Sequence, residues 1–197
     1  PADSPWKTVR DLEKAIGENP GKLKASGTAK GGTWHLAFAG WLAKAGLPIS
    51  AVKWIPTRGA SPSLQELMAK NLDLVCCSLP EAQALIQGGN LKGLGVMADE
   101  RIKGFDDVKT FKEQGVDWTL VGWRALGVPS DTPAEVIETL MKALRDIVAS
   151  DEFAGFMKAG NYNVSIREGE EARETLDSMD REMGKLLGMP EFKDLEK

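Results

Sequence analysis

The chain has 197 residues, of which 42% are hydrophobic and 27% are charged, as in an ordinary globular protein of one large or two small domains. Its 25 basic and 29 acidic side chains give a formal net charge of −4, and the basic residues are scattered, which argues against a nucleic-acid surface. No apolar run approaches the roughly 18 residues that a membrane helix needs. Length, composition and charge therefore predict a globular protein that neither binds nucleic acid nor spans a membrane.

Helix-like and strand-like segments alternate in the first half of the chain. The pattern predicts helices over 7–19, 34–46, 64–70 and 79–88, and strands just before Gly27 and over 51–56, 72–77 and 91–97. Two of these helices begin with capping-box spacing, Ser63 to Glu66 and Ser78 to Glu81. Between 22 and 88 the order strand, loop, helix occurs three times, which predicts a parallel sheet with all three loops at its carboxyl edge.

The loop over Gly27–Thr33 is the strongest candidate for a ligand site. Its glycines Gly27, Gly31 and Gly32, followed by Thr33, precede a predicted helix, so backbone N–H groups and a hydroxyl could close on an anion at the positive end of the helix dipole. The alternative is a tight turn with Thr33 as helix N-cap. A nucleotide site is not supported, because Thr33 stands where the P-loop pattern needs lysine and no dinucleotide-binding glycine pattern occurs.

The second half of the chain is predicted to be mainly helical. A helix is predicted over 108–114, and the extended run 116–128 is long enough to bridge two lobes. Thr132 is the predicted N-cap of the next helix, whose apolar face is expected to be core and consists of Val136, Ile137, Leu140, Met141, Leu144, Ile147 and Val148. Then follow a helix over 152–159, a strand over 162–166, a helix over 170–187 and, after Pro190, a polar tail expected to fray.

Short segments spread over nearly all of the chain carry a family resemblance. They are Ser4-Pro-Trp-Lys-Thr8, Asn19-Pro-Gly-Lys22, Gly27-Thr-Ala-Lys-Gly-Gly-Thr-Trp-His35, Pro56-Thr-Arg-Gly-Ala60, Leu72-Asp-Leu-Val75, Ala98-Asp-Glu-Arg101, Asp107-Val-Lys-Thr110 and Trp123-Arg-Ala-Leu-Gly-Val-Pro129. In their order and spacing they resemble the periplasmic substrate-binding proteins of the tripartite tricarboxylate transporters, also called the Bug family.

The resemblance implies an α/β, type II periplasmic-binding-protein-like fold, with a parallel-rich sheet flanked by helices and two lobes that close on a small organic acid. Residues 8–118 would form the second lobe, and 119–197 a bridging strand and the C-terminal part of the first lobe. The family's N-terminal part, with the loop that supplies the other jaw of the cleft, would be absent, leaving the first lobe incomplete. The implied location is the periplasm, and the implied partners are membrane permease subunits and, through apolar surface left exposed, a second copy of the chain.

The resemblance also implies which residues hold the ligand. Carried over by position, the ligand loops supply Thr28, Gly31, Gly32 and Thr33, then Thr57, Arg58 and Gly59, and then Ser78. Many family members have Asp-Asn where this chain has Cys77-Ser78. Without that carboxylate an amino group on the ligand would lack its partner, so a plain organic acid is expected.

Two arginines and the single histidine leave alternatives open. Arg58 is either a bidentate partner of a ligand carboxylate or a solvated loop charge, and Arg124 is either a ligand clamp or an interlobe ion pair. His35, in the first turn of its helix, is assigned to packing or hydrogen bonding, to the ligand, or to catalysis.

No catalytic residue, metal site or cofactor is predicted, because no activated nucleophile or convergent carboxylate set is evident. The adjacent Cys76 and Cys77 are interpreted as small buried strand residues, with a redox pair as the alternative. Two other functions stay open at this point. One is an enzyme acting on a small acid through His35 or the cysteines, and the other is a sensory or interaction module that has lost transport.

Overall fold

The computed structural model describes residues 1–192. The tail after Pro190, predicted to fray, therefore lies partly outside the described residues. Within them the chain forms α-helices and short β-strands in the order α1 (Val9–Glu18), β1 (Lys24–Ser26), α2 (Thr33–Lys44), β2 (Lys53–Trp54), α3 (Ala60–Met68), β3 (Leu74–Val75), α4 (Leu79–Gln87), α5 (Ala134–Val148), α6 (Asp151–Ala159) and α7 (Gly169–Leu187). Single 3-10 turns occur at Ile49–Ala51, Lys112–Gln114 and Pro190–Phe192. No described helix is both long and apolar enough to cross a membrane.

The predicted parallel sheet is present, with strand order β2-β1-β3. The first strand lies in the centre, where Ala25 pairs with Trp54 on one side and with Leu74 on the other. Each strand is followed by a loop and then by a helix. Since all three strands run the same way, the three loops lie at the same edge, as predicted.

Helices α1 and α2 cover the sheet with the apolar residues that their periodicity predicts. Val9, Leu12 and Ile16 of α1 are buried, and so are Phe38, Trp41 and Leu42 of α2. The ring of Trp41 meets that of Phe111 edge to face, with centroids 5.5 Å apart. This core holds the sheet that positions the loops.

A second contact depends on a glycine. Gly40 of α2 lies against the indole of Trp118, whose Nε1 donates to the Ala37 carbonyl oxygen over 3.0 Å. A Cβ built on Gly40 would lie 2.3 Å from the Trp118 ring. Gly40→Ala should therefore lower the free energy of unfolding by about 1–2 kcal/mol, measured by urea unfolding, because the ring must move.

The matched control for this substitution is Gly184→Ala in α7. A Cβ at Gly184 meets no heavy atom within 4 Å. That change should stabilise the chain by about 0.5–1 kcal/mol through helix propensity alone. Equal effects of the two substitutions would contradict the proposed role of Gly40.

The described chain separates into two compact units. The first unit contains Pro1–Val121 and the residues from Ile166 onward, and the second contains Gly122–Ser165. In the first unit, Leu186 and Phe192 pack on Ala39, which ties the C-terminal helix to α2. The predicted lobe limits, 8–118 and 119–197, concern the complete two-lobe protein and stay a prediction.

Helix α3 begins four residues earlier than predicted. It covers Ala60–Met68, so Ser63 lies inside the first turn and is not an N-cap, and the predicted capping box with Glu66 is wrong. Pro62 is tolerated because an amide in the first helical turn has no intrahelical acceptor. The Glu66 carboxylate instead accepts from the Asn71 side chain over 2.7 Å.

Three predicted strands do not form, and these predictions are wrong. Segments 91–97, 116–128 and 162–166 are irregular apart from one parallel bridge between Val96 and Thr110. The Leu120 amide donates to the Met97 carbonyl oxygen, which is an isolated contact. The predicted helix over 108–114 is reduced to the 3-10 turn at Lys112–Gln114.

The second unit contains α5 and α6. Helix α5 forms where predicted, although its N-cap is Pro133 and not Thr132. Its apolar face was expected to be core, but no residue of the helix is buried, and Ile147 is 55% exposed. This expectation is wrong because, within the second unit, α6 contacts α5 but buries none of its residues.

Candidate functional site

Backbone hydrogen bonds join the three loops at the carboxyl edge of the sheet. The Thr57 amide donates to the Thr28 carbonyl oxygen over 3.3 Å, so the loop after β2 touches the loop after β1. The Cys76 amide donates to the Ser26 carbonyl oxygen over 2.9 Å, which holds the end of β3 beside β1. The prediction that the three strand-to-helix turns meet is confirmed.

The loop over 27–33 is held in shape by its own hydrogen bonds. The Gly31 amide donates to Nδ1 of His35 over 2.9 Å, and the Gly32 amide donates to the Ala29 carbonyl oxygen over 3.0 Å. The indole Nε1 of Trp54 donates to the Thr28 carbonyl oxygen over 3.1 Å. The amides of Gly31 and Gly32 are thus already bonded, so their role as donors to an anion stays a prediction that requires these bonds to exchange.

The buried ring of His35 stabilises the loop over 27–33. The residue is only 4% exposed, and its ring packs on that of Trp54 with centroids 4.7 Å apart. Because Nδ1 accepts a hydrogen bond, the ring is neutral with its proton on Nε2. Burial, together with the positive charge of Lys30, lowers the pKa of His35 from 6.5 to about 4. The geometry favours the hydrogen-bonding assignment of His35 over a catalytic one.

The N-terminus of α2 is open. Its N-cap is Gly32, which offers no side-chain acceptor, and Thr33 is the first helical residue, so the alternative of a Thr33 cap is wrong. Within the described chain, the amides of Thr33 and Trp34 and the exposed Thr33 hydroxyl have no hydrogen-bond partner. Such a helix end carries partial positive charge and attracts anions.

The N-terminus of α3 is the second open helix end. Its N-cap Gly59 has φ 141° and ψ −173°, a conformation that only glycine adopts readily. The N-cap makes no side-chain hydrogen bond, and the amides of Ala60 and Ser61 have no acceptor among the described residues. Since Thr28 lies against Gly32 and accepts from Thr57, both helix ends adjoin the same pair of loops.

A cluster of three hydroxyls lies beneath this second helix end. We call Ser26, Thr57 and Ser63 the hydroxyl cluster. The Ser63 oxygen is 2.9 Å from that of Ser26 and 2.6 Å from that of Thr57. Ser26 also donates to the Ile55 carbonyl oxygen over 2.6 Å, and the Gly59 carbonyl oxygen lies within 3.0 Å of the hydroxyls of Thr57 and Ser63.

Arg58 contributes a positive side chain to the site. It lies in the loop between β2 and α3, and it is exposed. Among the described residues its guanidinium has neither a carboxylate nor a carbonyl partner. A guanidinium without such a partner, carried by the loop that leads into an open helix end, can bind a carboxylate with two parallel hydrogen bonds.

Ser78 differs from the other predicted residues. Its amide and its hydroxyl both donate to the Glu81 carboxylate, over 2.9 and 2.7 Å, at the start of α4. The N-terminus of α4 is therefore occupied by the protein's own carboxylate, so the open helix N-termini at this edge are those of α2 and α3. A ligand role for Ser78 stays a prediction.

Arg124 belongs to the second unit, outside the first-unit cluster. Its Nη1 donates to the Trp123 carbonyl oxygen over 2.9 Å. Its roles as ligand clamp or ion-pair partner stay predictions.

The two cysteines are unsuited to nucleophilic chemistry. Both thiols are free. Burial raises the pKa of Cys76, and it raises that of Cys77 to about 12, with further contributions from the Glu81 charge. The thiolate, which is the reactive form, is thus disfavoured at neutral pH.

Comparison with known proteins identifies the family. Residues 1–186 match the tripartite tricarboxylate transporter family receptor, TctC. The chain belongs to this family. A curated relative, a UPF0065 protein of Bordetella pertussis, is 33% identical over 156 residues, which cover 79% of this chain and 47% of the relative. The chain thus spans about half the length of that relative.

Two solved structures share the fold of this chain. The crystal structure of a ligand-free TctC solute-binding protein from Polaromonas is 32% identical, with a TM-score of 0.73 over 92% of this chain and 61% of that one. The R. palustris protein Rpa4515 with adipate has a TM-score of 0.82 at 21% identity, over 94% of this chain and 61% of that one. The α/β, type II periplasmic-binding-protein-like fold is thereby confirmed as a partial one.

Three residues of the site were not predicted from the sequence. Ser26 and Ser63 complete the hydroxyl cluster, and Trp54 anchors the loop after β1. In the sequence, the one feature that pointed to Ser26 and Trp54 was their position in strands that lead into predicted ligand loops. The sequence around Ser63 pointed to a different role, because its spacing to Glu66 is typical of a helix cap.

Proposed function

We propose that this protein is a periplasmic receptor that binds a small organic acid and presents it to a membrane permease. The observation that carries the proposal is the convergence of two open helix N-termini and an uncommitted arginine at one sheet edge. In this arrangement the amides at Thr33 and Ala60 and the Arg58 guanidinium replace the water around a carboxylate. Membership in the TctC family supports the same function, and the adipate in Rpa4515 supports a dicarboxylate as ligand.

The proposed receptor performs no chemistry on its ligand. Binding would shift an equilibrium between open and closed forms, and the closed form would be recognised by the permease. The permease subunits and a second copy of the chain are the partners that we propose. The exposed apolar residues of the second unit support the latter.

Carboxylates should stabilise the chain against thermal unfolding. We expect adipate, succinate, malate or citrate to raise the unfolding temperature, with a gain of about 2.7 kcal/mol when the acid is at 100 times its Kd. Calorimetric titration of the same panel gives the affinities. The neutral diol 1,6-hexanediol, which has the length of adipate without its charges, is the control. Absence of a shift with every acid would overturn the proposal.

Arg58→Ala should weaken the binding of carboxylates without changing the stability of the fold. Removal of a charge-assisted bond at an exposed position is expected to weaken the binding of the best acid about tenfold. The unfolding temperature without ligand should not change, because Arg58 has no partner within the described chain. Arg181→Ala, at an exposed arginine of α7, is the matched control and should leave both quantities unchanged. Equal affinities in the two variants would remove Arg58 from the site.

A further inference from the structure

The hydroxyl cluster carries an inference that rests on the proposed function and deepens it. We propose that Ser63 is a positioning residue, which donates its proton to Thr57 and thereby turns the Thr57 hydroxyl proton toward the bound carboxylate. Ser63 would not touch the ligand itself. Thr57 is half-buried, whereas Ser26 and Ser63 are both 0% exposed.

The number of protons limits how the cluster can be arranged. The three hydroxyls have three protons to donate, but their oxygens lie within hydrogen-bond distance of each other or of a carbonyl oxygen in more than three places. Not all of these contacts can be hydrogen bonds at the same time. The Ser26 hydroxyl lies 3.3 Å from that of Thr57 but only 2.6 Å from the Ile55 carbonyl oxygen, which can only accept, so its single proton is assigned to Ile55. Ser26 therefore does not feed its proton to the other two hydroxyls.

Two arrangements are left for Thr57 and Ser63, whose oxygens are 2.6 Å apart. If Thr57 donates to Ser63, the Ser63 proton goes to Gly59 or Ser26 and Thr57 offers only lone pairs, which repel an anion. If Ser63 donates to Thr57, the Thr57 proton is used either on the Gly59 carbonyl oxygen, 3.0 Å away, or on an outside acceptor. Only the second arrangement lets Thr57 bind a carboxylate.

The position of the cluster favours the second arrangement when an anion is bound. When the Thr57 proton turns to the ligand, the Gly59 carbonyl oxygen loses that hydrogen bond. It still accepts one from the Ser63 amide, 3.4 Å away. A carboxylate is a stronger acceptor than a carbonyl oxygen, and a hydroxyl that accepts one hydrogen bond donates the next one more strongly. The buried Ser63 thus strengthens the Thr57 contact to the ligand without being part of the cleft.

The test is a double-mutant cycle with adipate as the probe, measured by calorimetric titration on the 197-residue chain. Ser63→Ala should weaken binding about three- to tenfold, as expected for one neutral hydrogen bond. Thr57→Val should weaken it about tenfold. In the variant with both changes, affinity should equal that of Thr57→Val alone, because Ser63 acts only through Thr57. If the double variant instead loses affinity by the product of the two single losses, Ser63 acts independently of Thr57 and the proposal is overturned.

Thr110→Ala is the control. It removes another hydroxyl of a buried residue, 2% exposed, but one that lies outside the hydroxyl cluster and accepts from the Glu113 amide. Its adipate affinity should stay within about twofold of the unmodified chain, even if its stability falls. If Ser63→Ala does not fold, Ser63→Cys, which keeps a weaker donor, should give a smaller loss of affinity. A Thr110→Ala variant that binds adipate as weakly as Ser63→Ala would show that the loss of any buried hydroxyl, and not the direction of donation to Thr57, lowers the affinity.

The outcomes distinguish this inference from the proposed function. An unmodified chain that binds neither adipate nor any other acid of the panel overturns both. An unmodified chain that binds adipate while Ser63→Ala binds it equally well overturns only the role of Ser63.

Discussion

Gly27→Ala is expected to lower the free energy of unfolding by about 3 kcal/mol or more and to abolish carboxylate binding. A Cβ built on Gly27 would lie 2.0 Å from the carbonyl oxygen of Cys76. The added Cβ and the Cys76 carbonyl oxygen are both attached directly to the backbone, where β1 and β3 end side by side. The steric clash can therefore be removed only if the two strand ends separate. Urea unfolding and calorimetric titration with adipate measure the two effects.

The control for Gly27→Ala is Gly127→Ala. Gly127 also lies in an irregular segment, but a Cβ there meets no heavy atom within 4 Å. Its effect on stability should stay within about 0.5 kcal/mol. A Gly27→Ala variant as stable as Gly127→Ala would mean that the contact between the ends of β1 and β3 is not needed for the fold.

The stability of the chain should fall by about 2 kcal/mol between pH 7 and pH 5 because of His35. Burial lowers the pKa of this residue to about 4 in the folded chain, whereas the unfolded value is near 6.5. As the pH falls below 6.5, the unfolded state takes up a proton that the folded state refuses, so the unfolded state is favoured. The loss reaches on the order of 3 kcal/mol once the pH has fallen to the folded pKa.

His35→Asn is the control, and urea unfolding at several pH values is the measurement. The asparagine side chain can place an acceptor near the position of Nδ1, so the bond from the Gly31 amide is preserved without a titrating group. Since the chain has a single histidine, most of the slope between pH 5 and pH 7 should disappear in this variant, leaving the smaller contributions of groups such as the Pro1 amino group, whose pKa burial also lowers. An undiminished slope would assign the pH dependence to other groups.

Helices were predicted well because their signals are local. Val9, Leu12 and Ile16 of α1 recur at helical spacing, and they are the buried residues of that helix. In α2, Ala37, Phe38, Trp41 and Leu42 recur in the same way and are buried too, although neighbouring residues of that helix are also buried. The capping box of Ser78 and Glu81 likewise involves residues three positions apart, and it forms as predicted. At Ser63 the local pattern fits either a helix N-cap or a position inside the first turn. The spacing to Glu66 favoured the cap, and the structure has the residue inside the helix.

Strands were predicted less well because a strand depends on a neighbour that is distant in sequence. The segment 72–77 pairs with β1 only at Leu74 and Val75, and the longer run over 116–128 pairs with nothing as a strand. An extended apolar segment without a partner leaves its amides and carbonyls unpaired, so it does not persist as a strand. In the same way, α6 contacts α5 but buries none of its residues, which leaves the apolar face of α5 exposed.

Three properties could be predicted before the structure was known: the family, the α/β class, and the order strand, loop, helix that brings three turns to one sheet edge. Those properties follow from periodicity and from motif order, which can be detected along the chain. The hydrogen-bond partners of the groups at that edge became known from the folded chain. The tertiary structure assigned the Gly31 amide to His35, closed the start of α4 with Glu81, and placed Ser63 between Ser26 and Thr57. Hydrogen bonds of this kind depend on distances across folded elements, and residue spacing along the chain does not contain them.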